Sequence, residues 1–261
     1  MSFRAGATAY ETHGAGPPVV LIHGLGLNRK MWQWQLDALT PDFTVVCYDL
    51  LGHGDSEKPR GPYTMRSMVD QISELMDALE FERAALVGFS LGGLIARAFA
   101  LALPDRTTAI VILNSAHART PEQRESVMTR VHQAELYGPA STVDDALTRW
   151  FSKGFAAANP GLLDQVRRWV VANDPVVYPS VYRLLAQGDI GLEKAIAKIT
   201  CPALVVTGEE DHGNSPQMAR EMSALIPDAR CAILPGLRHM ALVEDPAAVN
   251  SLLVPFLNDS L

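Results

Sequence analysis

The chain has 261 residues, 48% of them hydrophobic and 20% charged, enough apolar material for one large domain and far too much for a small stapled module. A formal net charge of −7 argues against nucleic acid or an anionic membrane as a partner. Cys47, Cys201 and Cys231 show no metal-ligand spacing, residues 1–10 hold no apolar targeting run, and no stretch approaches the roughly 18 apolar residues of a membrane span. The expectation is a cytoplasmic protein with free thiols, those of Cys47 and Cys231 acting as small hydrophobes within strands.

In chain order, residues 7–10 read as part of an antiparallel edge hairpin. Six apolar runs then follow, each rich in β-branched residues and bounded by turn formers. They are Val19-Val20-Leu21-Ile22, Val45-Val46-Cys47-Tyr48, Ala84-Ala85-Leu86-Val87, Ile110-Val111-Ile112-Leu113, Leu204-Val205-Val206 and Cys231-Ala232-Ile233-Leu234. Continuous apolar strands without alternation are what a parallel sheet covered on both faces requires. Between them, Met65, Met68, Val69, Ile72, Leu75, Met76 and Leu79 recur at helical spacing, and residues 91–103 and 247–257 are similar. Strand alternating with helix predicts an α/β fold with a mostly parallel, doubly wound sheet.

The alternation fails over residues 117–188, where several helices are predicted and no strand. That is far beyond an ordinary connection of about 2–6 residues. The stretch is expected to be a helical lid inserted between a first core part, 1–116, and a second, 189–261. Its aromatic residues include Trp150 and Phe151, which are expected to contact substrate. It also carries Arg119, Arg124, Arg130, Arg149, Arg167, Arg168 and Arg183. Any of these could pair with a carboxylate, although solvated helix faces are the ordinary place for such charges.

Gly88-Phe89-Ser90-Leu91-Gly92-Gly93 follows a predicted strand and opens a predicted helix, the context of a nucleophile elbow. A serine hydroxyl attacks only when a base removes its proton, and His239, just after the last strand, is the expected base. The base needs a carboxylate to fix its tautomer. Asp211 follows the penultimate strand in Gly208-Glu209-Glu210-Asp211-His212; Glu209 and Glu210 compete with it, and position favours Asp211. The loop after the fourth run reads Asn114-Ser115 and offers no carboxylate. An oxyanion requires two preorganised donors, expected to be the backbone N–H groups of Leu25 and Leu91. His23, and His53 and Asp55 in Gly52-His53-Gly54-Asp55-Ser56, are read as shaping their loops.

Together these residues resemble the α/β-hydrolase superfamily along essentially the whole chain. The resemblance rests on His23-Gly24-Leu25-Gly26, Asp49 with the 52–56 turn, the Ser90 elbow, Gly208 to Asp211, and Arg238-His239 before Glu244-Asp245-Pro246. Arg238 stands where most relatives have glycine. Within the superfamily the chain looks most like 3-oxoadipate enol-lactonases and carboxylesterases, through Gly61-Pro62-Tyr63-Thr64, Trp150-Phe151 and the run 184–199. Its His23-Gly24 departs from the Ser-Asn that enol-lactonases often carry there. Serine at position 90 speaks against epoxide hydrolases and haloalkane dehalogenases.

The resemblance implies a serine hydrolase that cleaves a carboxylic ester or (enol-)lactone of a small molecule through an acyl-enzyme, with no metal and no organic cofactor. The alternatives are a carbon–carbon bond hydrolase acting on vinylogous diketones, a perhydrolase, and a non-enzymatic ligand receptor on the same scaffold.

Overall fold

The apolar runs become strands of one sheet in the computed structural model, which describes residues 3–261. The strands are β1 (Phe3–Ala5), β2 (Thr8–His13), β3 (Pro18–Ile22), β4 (Thr44–Tyr48), β5 (Ala84–Phe89), β6 (Thr107–Leu113), β7 (Ala203–Gly208) and β8 (Ala229–Leu234). Their order across the sheet is β1-β2-β4-β3-β5-β6-β7-β8. The hairpin at the N-terminus is present: β1 pairs antiparallel with β2, and β2 antiparallel with β4. From β4 to β8 every pairing is parallel.

The parallel strands carry their carboxyl ends to one edge of the sheet. Chain order reverses between β3 and β5: from β3 the chain steps outward to β4, then crosses back to β5 on the other side of β3. Such a switch point opens a crevice beyond the strand ends, because the connections leave it in opposite directions. The loops after β3 and β5 flank that crevice.

Burial follows from this arrangement. Val19 to Ile22 and Ala84 to Val87 are fully buried, as expected of strands covered on both faces. The helices are α1 (Gln33–Leu39), α2 (Met65–Ala78), α3 (Leu91–Ala102), α4 (Pro121–Tyr137), α5 (Val143–Trp150), α6 (Lys153–Ala158), α7 (Pro160–Val171), α8 (Tyr178–Gln187), α9 (Leu192–Ala195), α10 (Pro216–Leu225), α11 (Ala241–Glu244) and α12 (Pro246–Ser260). Helix α2 starts at a capping box in which Thr64 and Ser67 satisfy each other's backbone N–H, and it buries Met68, Val69, Ile72, Leu75 and Met76. Helix α3 is buried from Leu91 to Ala100, so it has no solvent face to be amphipathic about. Cys231 departs from expectation. It is exposed, not a core thiol, because β8 is the edge strand and part of it faces solvent. Among the described residues, no helix is long and apolar enough to cross a membrane.

Helices α4 to α8 all lie between β6 and β7. Their start is a capping box of Thr120 and Gln123 with Pro121 in the first turn. Several bonds tie them to the sheet's carboxyl edge. Asn173 Nδ2 donates to the Gly26 carbonyl at 3.0 Å, Met240 N to the Trp150 carbonyl at 2.9 Å, and Ser152 N to Glu244 Oε2 at 3.0 Å.

Candidate active site

The turn from β5 into α3 is tight enough to exclude side chains around Ser90. A Cβ on Gly88 would lie 2.2 Å from the Gly92 carbonyl oxygen, and one on Gly92 would lie 2.1 Å from that of Ile22. Ser90 itself takes φ 55° and ψ −111°, a region that L-residues avoid. The conformation is held from outside: Ser90 N donates to the Leu113 carbonyl at 2.9 Å, and Ser115 Oγ donates to the Ser90 carbonyl at 2.8 Å. Behind the turn the fully buried Arg97 clamps the same segment, donating to the Gly93 and Ala116 carbonyls and to Ser115 Oγ.

His239 and Asp211 come from the loops after β8 and β7. The His239 Nδ1 lies 2.8 Å from Asp211 Oδ2, with both side chains buried. Neither competing glutamate makes this contact. Glu209 accepts from Gly236 N at 3.0 Å, and Glu210 pairs with Arg238 at 3.2 Å. Burial pushes the Asp211 carboxyl up, but the His239 ring and hydrogen bonds from Asn114 and Asn214 outweigh it and hold the group below the usual carboxylate range. Asn114 Nδ2 donates to Asp211 Oδ2 at 3.0 Å, and the Gly213 and Asn214 N–H groups donate to Oδ1 at 3.2 and 3.0 Å. The Asn214 side-chain amide also lies 3.1 Å from His239 Nδ1. Asn114 and Asn214 were not singled out for this role in the sequence, where Asn114 marked only a missing carboxylate.

The loop after β3 is shaped by two buried histidines. His53 Nε2 accepts from Gly26 N at 3.0 Å, and His23 Nε2 accepts from Leu50 N at 2.9 Å. Burial lowers their pKa values to about 3 for His53 and about 4 for His23, so both rings are neutral and serve as acceptors. Asp49, fully buried, binds the Arg29 guanidinium and accepts from Arg29 N at 2.7 Å and Asp55 N at 2.8 Å. These contacts fix the 52–56 turn.

A cavity of about 580 Å³ lies between the sheet edge and the inserted helices, and Ser90, Asp211, His239, Asn214 and Leu25 all border it. Leu91 is not among the residues that border it; it is fully buried as the first residue of α3, where a helix has N–H groups with no helical acceptor. Trp150 borders the cavity, its ring centroid 6.0 Å from that of His239. Phe151 does not. It is 1% exposed and stacks on Phe155 at 5.5 Å, because the chain leaves its helical path at this residue (φ −117°, ψ 143°). Arg238 donates from Nη1 to the Thr148 and Phe151 carbonyls at 3.0 and 3.2 Å and so fastens α5 to the sheet edge.

The inserted arginines divide by partner. Arg119 and Arg124 converge on the fully buried Asp189, Arg167 pairs with Asp144, and Arg183 with Glu135. Arg130 donates from Nε to Tyr182 Oη at 3.0 Å and from Nη1 to Ser126 Oγ at 3.2 Å, with no acidic partner among the described residues. The side chains of Arg149 and Arg168 have neither a hydrogen bond nor an ion pair to any described residue. Arg130 and Arg149 border the cavity, and Arg168, exposed, does not.

Residues 17–246 match the family model described as alpha/beta hydrolase fold. The chain is 30% identical over 241 residues to an (E)-2-((N-methylformamido)methylene)succinate hydrolase of Acinetobacter baylyi, covering 92% of this chain and 90% of that one. It is 28% identical over 246 residues to 3-oxoadipate enol-lactonase 2 of the same organism, covering 94% and 90%. Among solved structures, the enol-lactonase from Burkholderia xenovorans LB400 superposes with a TM-score of 0.91 at 31% identity, covering 99% of this chain and 100% of that one.

Proposed function

The chain belongs to the α/β-hydrolase fold family, and on that premise we propose that it is a serine hydrolase cleaving a carboxylic ester or (enol-)lactone of a small molecule. Ser90 is the nucleophile, His239 the general base and Asp211 the orienting acid. The carrying observation is the 2.8 Å contact between His239 Nδ1 and Asp211 Oδ2 at a cavity that Ser90 also borders. A carboxylate at Nδ1 keeps that nitrogen protonated and leaves Nε2 as the base.

His239 takes the Ser90 proton as Oγ attacks the carbonyl carbon. The oxygen becomes an anion and accepts from the Leu25 and Leu91 N–H groups, the second at a helix N-terminus whose dipole favours negative charge. Collapse of the intermediate breaks the carbon–oxygen bond, and His239 returns the proton to the departing alkoxide. Water, deprotonated by His239, then attacks the acyl-enzyme and releases the acid and Ser90. In a lactone the alcohol and acid stay joined as one product. Helices α4 to α8 act as a lid over this chemistry, and Trp150 contributes an apolar wall beside His239. The reading is supported by relatives of similar length whose names are those of a succinate-derivative hydrolase and an enol-lactonase.

The test is turnover of a short p-nitrophenyl ester by wild type and Ser90→Ala, with circular dichroism to confirm folding. We expect at least a thousandfold loss, on the scale of removing a triad nucleophile. Full activity in Ser90→Ala overturns the assignment.

A further inference from the structure

We propose that Arg130 and Arg149 form a clamp for a free carboxylate on the substrate, so that the enzyme acts on half-esters of short dicarboxylic acids or on lactones bearing a side-chain carboxylate. This deepens the serine-hydrolase reading and rests on it.

The starting point is an electrostatic imbalance. Arg130 sits on α4 and Arg149 on α5, and both border the cavity that holds Ser90 and His239. Neither has a carboxylate within ion-pair distance among the described residues. Arg119 and Arg238 also reach the cavity, but they are committed to Asp189 and Glu210. Of the acids that border the same cavity, Glu122 makes no ion pair with either arginine and Asp211 is held by His239, so a carboxylate entering the cavity meets two guanidinium groups that no acid of the described residues already holds. Arg149 is exposed at the cavity's edge; the buried part of its side chain and the Arg130 charge hold its pKa below the ordinary value, while Tyr182 and Asp145 act the other way.

Geometry makes the ligand a carboxylate at short range. Nε and Nη1 of Arg130 are anchored on Tyr182 and Ser126, which orients the guanidinium and leaves Nη2 without a partner among the described residues. Arg149 brings a complete fork, and planar forks match carboxylates bidentately. Tyr182 Oη accepts from Arg130 and so still has its own proton to donate. Arg130, Arg149, Ser90 and His239 all border the one cavity of about 580 Å³, so a small molecule can meet the clamp and the nucleophile at once. The overall charge of −7 cannot recruit such a substrate; the local pair must.

The experiment compares, for succinate, glutarate and adipate, the monomethyl ester with the methyl ester of the corresponding monoamide, which differs only in lacking the charge. With wild type, we expect kcat/KM to favour the acid by about tenfold or more at the best length. In Arg149→Gln and Arg130→Gln that ratio should fall towards one, chiefly through KM, and free glutarate or adipate should inhibit about tenfold less well. The Arg149 side chain makes no hydrogen bond or ion pair to a described residue, so its variant should melt as wild type does. A wild-type ratio at or below one, or a ratio preserved in Arg149→Gln, overturns the clamp. Equal turnover by wild type and Ser90→Ala overturns the serine-hydrolase reading instead. If neither ester is turned over, calorimetric binding of adipate to wild type and its loss in Arg149→Gln still decide the clamp.

Discussion

Asn114 donates its side-chain N–H to Asp211 Oδ2 at 3.0 Å, so the loop after β6 holds the carboxylate that the loop after β7 presents. Asn114 adopts φ 47°, and its backbone N–H is taken by the Val206 carbonyl at 2.8 Å. An amide thus stands beside the one acid that meets His239, where a second carboxylate would repel it.

Removing that amide should loosen the acid. Asn114→Gly tolerates the positive φ and deletes only the side chain, and a charge-assisted hydrogen bond is worth about 1.5–3 kcal/mol. We expect kcat/KM to fall about tenfold and the Asp211 carboxyl to rise, since one cause of its depression is gone. A carboxyl depressed in the folded state lends stability that is present above its unfolded pKa and lost as pH falls through the folded one. Loss on acidification should therefore begin at higher pH in the variant, as read from urea midpoints between pH 7 and 3.

Strain at Ser90 predicts a stability gain on removing its Cβ. The conformation at φ 55° costs an ordinary residue about 1–3 kcal/mol and costs glycine little. Ser90→Gly should melt about 2–4 °C above Ser90→Ala in scanning calorimetry, with both inactive. Equal melting temperatures would contradict the strain.

The buried histidines set an acid limit on stability. His23, His53 and His117 all have pKa values lowered by burial, the first two to about 4 and about 3. Below pH ~6.5 the unfolded chain binds protons that the folded chain refuses, so stability is complete above ~6.5 and declines as pH drops towards 4. Urea denaturation should show that slope, and His53→Gln, which removes one titrating ring, should flatten it.

Two adjacent aromatic residues should separate stability from catalysis. Phe151→Ala opens a hole in the packed interior, at a cost of about 3–5 kcal/mol, and should lower Tm by about 10 °C. Trp150→Ala removes a cavity wall beside His239 and should change kcat/KM with a smaller change in Tm.

The strands, the elbow and the loops that carry Ser90, Asp211 and His239 were all legible, because each depends on local pattern: continuous apolar runs, small residues around a tight turn, polar residues after strand ends. Helix α3 was legible too, since its length and boundaries follow the elbow. Asn114 and Asn214 were not legible as supports of Asp211. An asparagine in a loop has many ordinary roles, and only the register of β6 beside β7 brings residue 114 to residue 211. Cys231 was misplaced for a similar reason. An apolar run does not say whether its strand lies in the middle of a sheet or at its edge.

What the amino-acid sequence determined alone is the chemistry available and the sheet edge on which it gathers, because backbone preference and burial act on neighbouring residues. Tertiary structure decided which side chains face the shared cavity. Trp150 and Phe151 are adjacent, yet one borders the cavity and the other packs on Phe155. Of the arginines in the insertion, those near Asp189, Asp144 and Glu135 are neutralised, Arg168 is exposed away from the cavity, and Arg130 and Arg149 border the cavity that Ser90 also borders. Charge pairing between segments far apart in the chain depends on distance in space, and no local pattern encodes that distance.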